Sequence, residues 1–172
     1  MASLVMTILG EDRPGVVEFV AKAVSDHGAN WLESRMAHLA GQFAGIVHVE
    51  VAEDQLQTLV DALRSLEQNG LQIIVQADAA GAADSSFAPL NMEVVGGDRP
   101  GIVREVSHVL ASHEVNVEEF QTECITAPMS GDRLFRATAR LRLPAGFTIE
   151  ALQAALEGIA SDLMVDIQLR QS

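Results

Sequence analysis

Two short stretches carry the residue types that could do chemistry. They are "LGEDRPGVV" at positions 9–17 and "VGGDRPGIV" at positions 95–103. Each places an acid, a base, a proline and a glycine in a row, straight after an apolar run. Asp12-Arg13-Pro14-Gly15 and Asp98-Arg99-Pro100-Gly101 are separated by 86 residues. A residue before proline avoids the helical region, and proline suits the first helical position. Helices are therefore expected to open at Pro14 and Pro100. The next amides, of Gly15, Val16 and Val17, would then lack intrahelical partners and sit at the positive end of the helix dipole. A small carboxylate fits such a place, and glycine lets it come close. Asp12 or Asp98 beside it could hold an ammonium group, and a carboxylate next to an ammonium is an amino acid. The plainer alternative stays open: an aspartate at a helix start serves as a cap, and Pro-Gly as turn grammar.

The elements that must position these loops are written twice as well. At the same offset His27 matches His113 and Asn30 matches Asn116. Val16, Val20 and Val24 likewise match Ile102, Val106 and Leu110. In the first copy the apolar run Leu4 to Leu9 predicts a strand buried on both faces or nearly so. Val16, Val20, Ala23 and Val24 predict one face of a helix, and Gly28 its stop. Strands are expected over Trp31 to Leu39 and Phe43 to Val51, then a helix from about Asp54 to Glu67, then a strand over Leu71 to Gln76. The second copy repeats this from Leu90, with a longer hairpin loop over 127–132. Its third strand alternates Phe135, Ala137, Ala139, Leu141 and Leu143 with Arg136, Thr138, Arg140 and Arg142. Ile149, Leu152, Leu156 and Ile159 mark its second helix. Strand-helix-strand-strand-helix-strand is the split βαβ, ferredoxin-like arrangement, an α+β fold with antiparallel sheets and both helices on one sheet face. The expected domains are 1–78 and 90–172, joined by a linker at 79–89 rich in Ala, Gly, Ser and Asp.

Bulk properties exclude several classes of function. The chain has 172 residues and a net charge of −13. Each half carries twelve Asp and Glu, against four Lys and Arg in the first and seven in the second. Such a field repels phosphates, so direct nucleic-acid binding is not expected. A single cysteine, Cys124, excludes an internal disulfide. On a strand without a local base, Cys124 reads as a buried small apolar residue rather than a nucleophile. No His or Cys cluster has metal-ligand spacing, and neither a dinucleotide fingerprint nor a Walker sequence is present, so no cofactor is expected. The opening run LVMTIL is too short to span a bilayer and lacks the flanks of a signal peptide. A cytoplasmic protein without membrane association is expected.

With strand, G-x-D-R-P-G-hydrophobic, helix, then Asn opening the second strand, each copy resembles the ACT domain. Two in tandem resemble the glycine cleavage system transcriptional repressor family, the first copy more closely through "SDHGANWLESRMAHLAGQFAGIV". The resemblance covers essentially the whole chain. It implies the ferredoxin-like fold and a ligand site where the loop before the first helix meets the second strand of the same or a neighbouring ACT domain. In this sequence that site falls on Gly10, Asp12, Arg13, Pro14, Gly15, Val16 and Asn30. In the second copy it falls on Gly96, Asp98, Arg99, Pro100, Gly101, Ile102 and Asn116. The implied role is regulation without catalysis. The chain would sense a small amino acid, glycine or similar, and act on a transcription regulator or enzyme by protein contact. The alternative is an ACT module with empty loops that binds only protein. Catalytic chains often carry ACT domains, but no nucleophile-base constellation or catalytic domain is visible here.

Two further surface features are expected. Arg136, Arg140 and Arg142 either pair across strands with Glu118, Glu119 or Glu123, or form a docking stripe for an acidic partner. One sheet face carries no helices, so exposed residues such as Ile46 suggest packing of the two copies and a possible homodimer. His27 and His113 read as histidines complementing a helix C-terminus.

Overall fold

The computed structural model describes residues 1–78 and 89–172. The chain divides into two compact units, Met1–Gly81 and Ala82–Ser172. Apart from Pro89, the linker expected at 79–89 lies outside the described residues. In the first unit, β1 (Ala2–Glu11), α1 (Val16–Asp26), β2 (Asn30–Leu39), β3 (Gln42–Val51), α2 (Leu56–Ser65) and β4 (Leu71–Ala77) follow in order. In the second, β5 (Leu90–Gly97), α3 (Ile102–Ser112), β6 (Asn116–Thr126), β7 (Arg133–Arg142), α4 (Ile149–Leu163) and β8 (Val165–Gln171) repeat that order. The sheets run β2-β3-β1-β4 and β6-β7-β5-β8. Every pair is antiparallel. Both units are thus the ferredoxin-like fold expected from the repeat.

Each core is made by the residues that the periodicity selects. Val16, Val20 and Val24 of α1 and Leu59 and Leu63 of α2 are buried against Leu4, Met6 and Ile8 of β1 and Val47, Val49 and Val51 of β3. In the second unit Ile102, Val106 and Leu110 of α3 and Leu152 and Leu156 of α4 meet Met92 and Val94 of β5 and Ala137, Ala139 and Leu141 of β7. Burying one such aliphatic side chain contributes about 1.5–3 kcal/mol. The first strand departs from expectation. In β1, Thr7 and Leu9 are exposed while Leu4, Met6 and Ile8 are buried. The helices cover one face only, so the strand is half-buried despite its continuous apolar run.

The helix starts also differ from the sequence reading. The α1 helix begins at Val16, and Gly15 before it has φ 92° and ψ −3°. Gly101 before α3 has φ 98° and ψ −9°. These angles fit the third position of a type II turn with proline at the second, so Arg13-Pro14-Gly15-Val16 is a turn that delivers the helix. Pro14 and Pro100 stand outside the helix because glycine's left-handed backbone interrupts it.

Candidate functional site

The DRPG loops lie at the end of each sheet where the first strand meets the hairpin. The Asp12 amide donates to the Gly41 carbonyl at 2.9 Å, and the Asp98 amide to the Arg133 carbonyl at 3.0 Å. Their carboxylates do not cap the helices, since neither α1 nor α3 has a side-chain cap hydrogen bond. By contrast the Thr148 hydroxyl caps α4, accepting from the Ala151 amide. The first bonds inside α1 and α3 run from Phe19 to Gly15 and from Glu105 to Gly101, each at 3.0 Å. The amides at the head of α1 without an intrahelical partner are therefore those of Val16, Val17 and Glu18, one residue later than expected.

The aspartates turn instead to the hairpin. Asp12 Oδ2 lies 3.4 Å from His38 Nδ1, and Asp98 Oδ2 lies 3.5 Å from Arg133 Nη2. The arginines of the loops turn the other way. Arg13 Nη2 donates to the Asn69 carbonyl at the end of the α2 region, and its guanidinium lies 5.9 Å from the centre of the Phe19 ring. Arg99 Nη1 donates to the Asp162 carbonyl at the end of α4, at 3.2 Å. In each unit a cation thus meets the negative end of the second helix.

The remaining loop residues have other duties. A Cβ on Gly10 would come within 2.7 Å of the Leu71 side chain and 3.1 Å of the Gly70 carbonyl. On Gly96 it would come within 2.7 Å of the Met164 carbonyl. Both glycines let the first strand pass the turn that opens the last one. Val16 and Ile102 are buried, so they offer a ligand only their backbone. Asn30 and Asn116 are not brought to their own loops. Asn30 stands opposite Glu50, which stands opposite Ser3, whereas Gly10 and Glu11 stand opposite Phe43 and Gln42. Those ends of the sheet lie roughly 25 Å apart at about 3.3 Å per residue. The helix carries the chain back across the sheet before β2 starts. Of the two arrangements implied by the resemblance, a loop and an asparagine of the same domain do not meet.

Arg136, Arg140 and Arg142 pair with glutamates as the strand alternation suggested. Arg136 donates to Glu93 at 2.9 Å and lies 3.5 Å from Glu123. Hydrogen bonding and charge from Glu93 hold its guanidinium above its ordinary pKa range. Arg140 lies 3.2 Å from Glu119, and Arg142 lies 3.7 Å from Glu118. Glu93 was not foreseen as a partner, because it reaches in from β5. A groove of about 420 Å³ runs over this face, lined by Asn91, Glu93, Glu119, Thr138, Arg140 and Arg170 among others. Several of its polar side chains already have partners: Asn91 with Ser172, Arg170 with Gln168, and Arg140 with Glu119. The groove lies around Asn91 to Glu93, away from the loop end of the sheet, and its charged residues, Glu93, Glu119, Arg140 and Arg170, are balanced in sign.

Sequence reasoning missed a polar cluster at the other end of the first sheet. Ser3 Oγ lies 2.6 Å from His48 Nε2 and 3.1 Å from Asp78 Oδ2, and Glu33 Oε1 lies 3.5 Å from His48 Nδ1. Finding it required the β1–β3 register, which places Ser3 and His48 on one face. A hydroxyl, an imidazole and a carboxylate in line invite comparison with a nucleophile and base. The hydrogen-bond sense opposes that. The single Ser3 proton goes to Asp78, so His48 donates to Ser3 rather than accepting from it. The cluster fastens β1, β3 and the end of β4. Among the described residues no group of three or more His, Cys, Asp or Glu is arranged to hold a metal ion. No described helix is long and apolar enough to cross a membrane. Cys124 is exposed on β6, an edge strand, and not buried as expected. His27 Nδ1 lies 2.8 Å from the Ala23 carbonyl near the end of α1, and His113 stacks on Phe147 at 5.0 Å. His27 thus takes the helix-terminal role expected of it.

Comparison with known proteins agrees with this fold. The family model of the ACT domain matches residues 2–76. The glycine cleavage system transcriptional repressor of Escherichia coli (strain K12) is 24% identical over 164 residues, covering 93% of this chain and 85% of that protein. A UPF0237 protein of Methanocaldococcus jannaschii is 30% identical over 79 residues, covering 44% of this chain and 88% of that protein. A crystal structure of an unknown protein from Galdieria sulphuraria superposes with a TM-score of 0.83 at 33% identity, covering 99% of this chain and 98% of that one. The first unit matches the ACT domain family directly and the second repeats its fold, its loop and its helix start, so residues 2–76 are an ACT domain and the chain is a tandem pair that resembles the glycine cleavage system transcriptional repressors.

Proposed function

We propose that this chain is a non-enzymatic regulator that senses a small amino acid, glycine or a close relative, and acts on a transcription regulator or enzyme by protein contact. One observation carries the reading: each unit sets an uncapped helix head beside an aspartate that is free of capping duty. Amides there would take the ligand carboxylate, and Asp12 or Asp98 its ammonium. Gly15 and Gly101 shape the approach through their backbone, while Arg13 and Arg99 hold the loop against the second helix. Asn30 and Asn116 would join such a ligand only from a different ACT domain. The whole-chain likeness to the Escherichia coli repressor supports a regulatory role, and the acidic charge favours action through protein rather than DNA.

A thermal-shift panel of the common amino acids tests the proposal. A ligand at a hundred times its Kd stabilises by about 2.7 kcal/mol. One selective shift, reduced in Asp12→Ala and lost when Asp98→Ala is added, is expected. No shift with any amino acid would favour an ACT module that binds only protein.

A further inference from the structure

The two loops differ at the group that would meet an ammonium. In the first unit the neighbour of Asp12 is His38, an imidazole that carries charge only when protonated. In the second unit the neighbour of Asp98 is Arg133, a guanidinium that does not lose its proton in a protein. Both partners come from the hairpin, at 3.4 and 3.5 Å, and both are largely exposed. The distances are matched although His38 stands on β2 and Arg133 opens β7, and the two partners differ in charge. A neutral imidazole leaves the Asp12 charge uncompensated, and an incoming ammonium gains all of it. At Asp98 the ammonium must replace a cation that is already there. Arg133 is also the residue whose carbonyl takes the Asp98 amide, so backbone and side chain hold the same aspartate.

We propose that Arg133 acts as a built-in occupant of the second loop and makes the first loop the tighter amino-acid site. The inference rests on the amino-acid reading above and concerns how its two sites divide the work. The expected handicap is about fivefold in affinity, the upper worth of one exposed ion pair.

Calorimetry of the full chain with glycine as the probe, at pH 8 and low salt, tests this. Asp98→Asn leaves the first loop intact, and Asp12→Asn leaves the second. The first of these chains is expected to bind about fivefold more tightly. Adding Arg133→Gln to Asp12→Asn should recover that factor, and adding His38→Arg to Asp98→Asn should lose it. Equal affinities in the two single-site chains would overturn the inference, as would a gap that survives both of these changes. Failure of the underlying reading looks different: the unaltered chain gives no heat, or the Asp12→Asn, Asp98→Asn double variant still binds.

Discussion

The open sheet faces of the two units occupy the same place in the same fold and share almost nothing. Across the first sheet one row reads Arg35, Ile46, Thr7 and Ile74. The same row of the second reads Gln121, Thr138, Glu93 and Gln168. The next row reads Ala37, Ala44, Leu9 and Gln72 in the first unit and Glu123, Arg136, Val95 and Asp166 in the second. Ile46 and Ile74 are more than half exposed, at 55% and 62%. The charged side chains at the centre of the second face are paired. The helix-covered face and the DRPG loop kept their pattern in both units, because packing and backbone geometry constrain them. The open face is under no such constraint.

That contrast can be broken at the frame. Gly10→Ala and Gly96→Ala should each cost about 1–3 kcal/mol in urea unfolding, since both force an atom into a filled approach. Gly96→Ala should be the worse, because its methyl would lie 2.7 Å from a backbone carbonyl as well as 2.6 Å from Val165, whereas at Gly10 the carbonyl is 3.1 Å away and the closest atom is a leucine tip. Gly15→Ala and Gly101→Ala should each cost about 1–2 kcal/mol, the penalty of a side chain in the left-handed region. A clear inequality between these two would show that the loops are not equivalent as folding elements. The stop of the first helix is the next test. Gly28 ends α1 at φ 63°, while Glu114 takes the same place after α3 at φ 56°. Glu114→Gly should therefore raise stability by about 0.5–1 kcal/mol. The smallest effect belongs to the faces themselves. Arg140→Gln should cost about 0.2–1 kcal/mol and lose that cost in high salt. Ile74→Gln in the first unit should show no salt dependence. Matching salt profiles would remove the distinction between the faces.

Much of this frame was legible before the structure. The alternation of Ala137, Ala139 and Leu141 with Arg136, Thr138 and Arg140 marks a strand with one core face, and the four-residue spacing of Val16, Val20 and Val24 marks a helix stripe. What was not legible depends on information that a local pattern does not hold. Pro-Gly reads equally as helix entry or turn, and only the backbone angles of Gly15 decide between them. The one-sided burial of β1 depends on which face the helices choose. Asn30 is close to the loop in sequence, yet a helix reverses the chain between them. The pairing of Asp12 with His38 and of Asp98 with Arg133 depends on where two hairpins of different length turn. The site residues are therefore readable as a list, whereas their partners emerge only from register and chain direction.

The arginine that fastens each loop to the second helix has a consequence for the order of events. Arg13 and the carbonyl it holds are separated by 56 residues, and Arg99 and its carbonyl by 63. Contacts of such long sequence separation carry the largest loop-closure entropy and form only when the chain between them is in place. The loop geometry thus needs the second helix of its unit, and is absent from any fragment that ends before that helix closes. A ligand gripping this loop would stabilise each unit from end to end, so occupancy and resistance to unfolding would rise together.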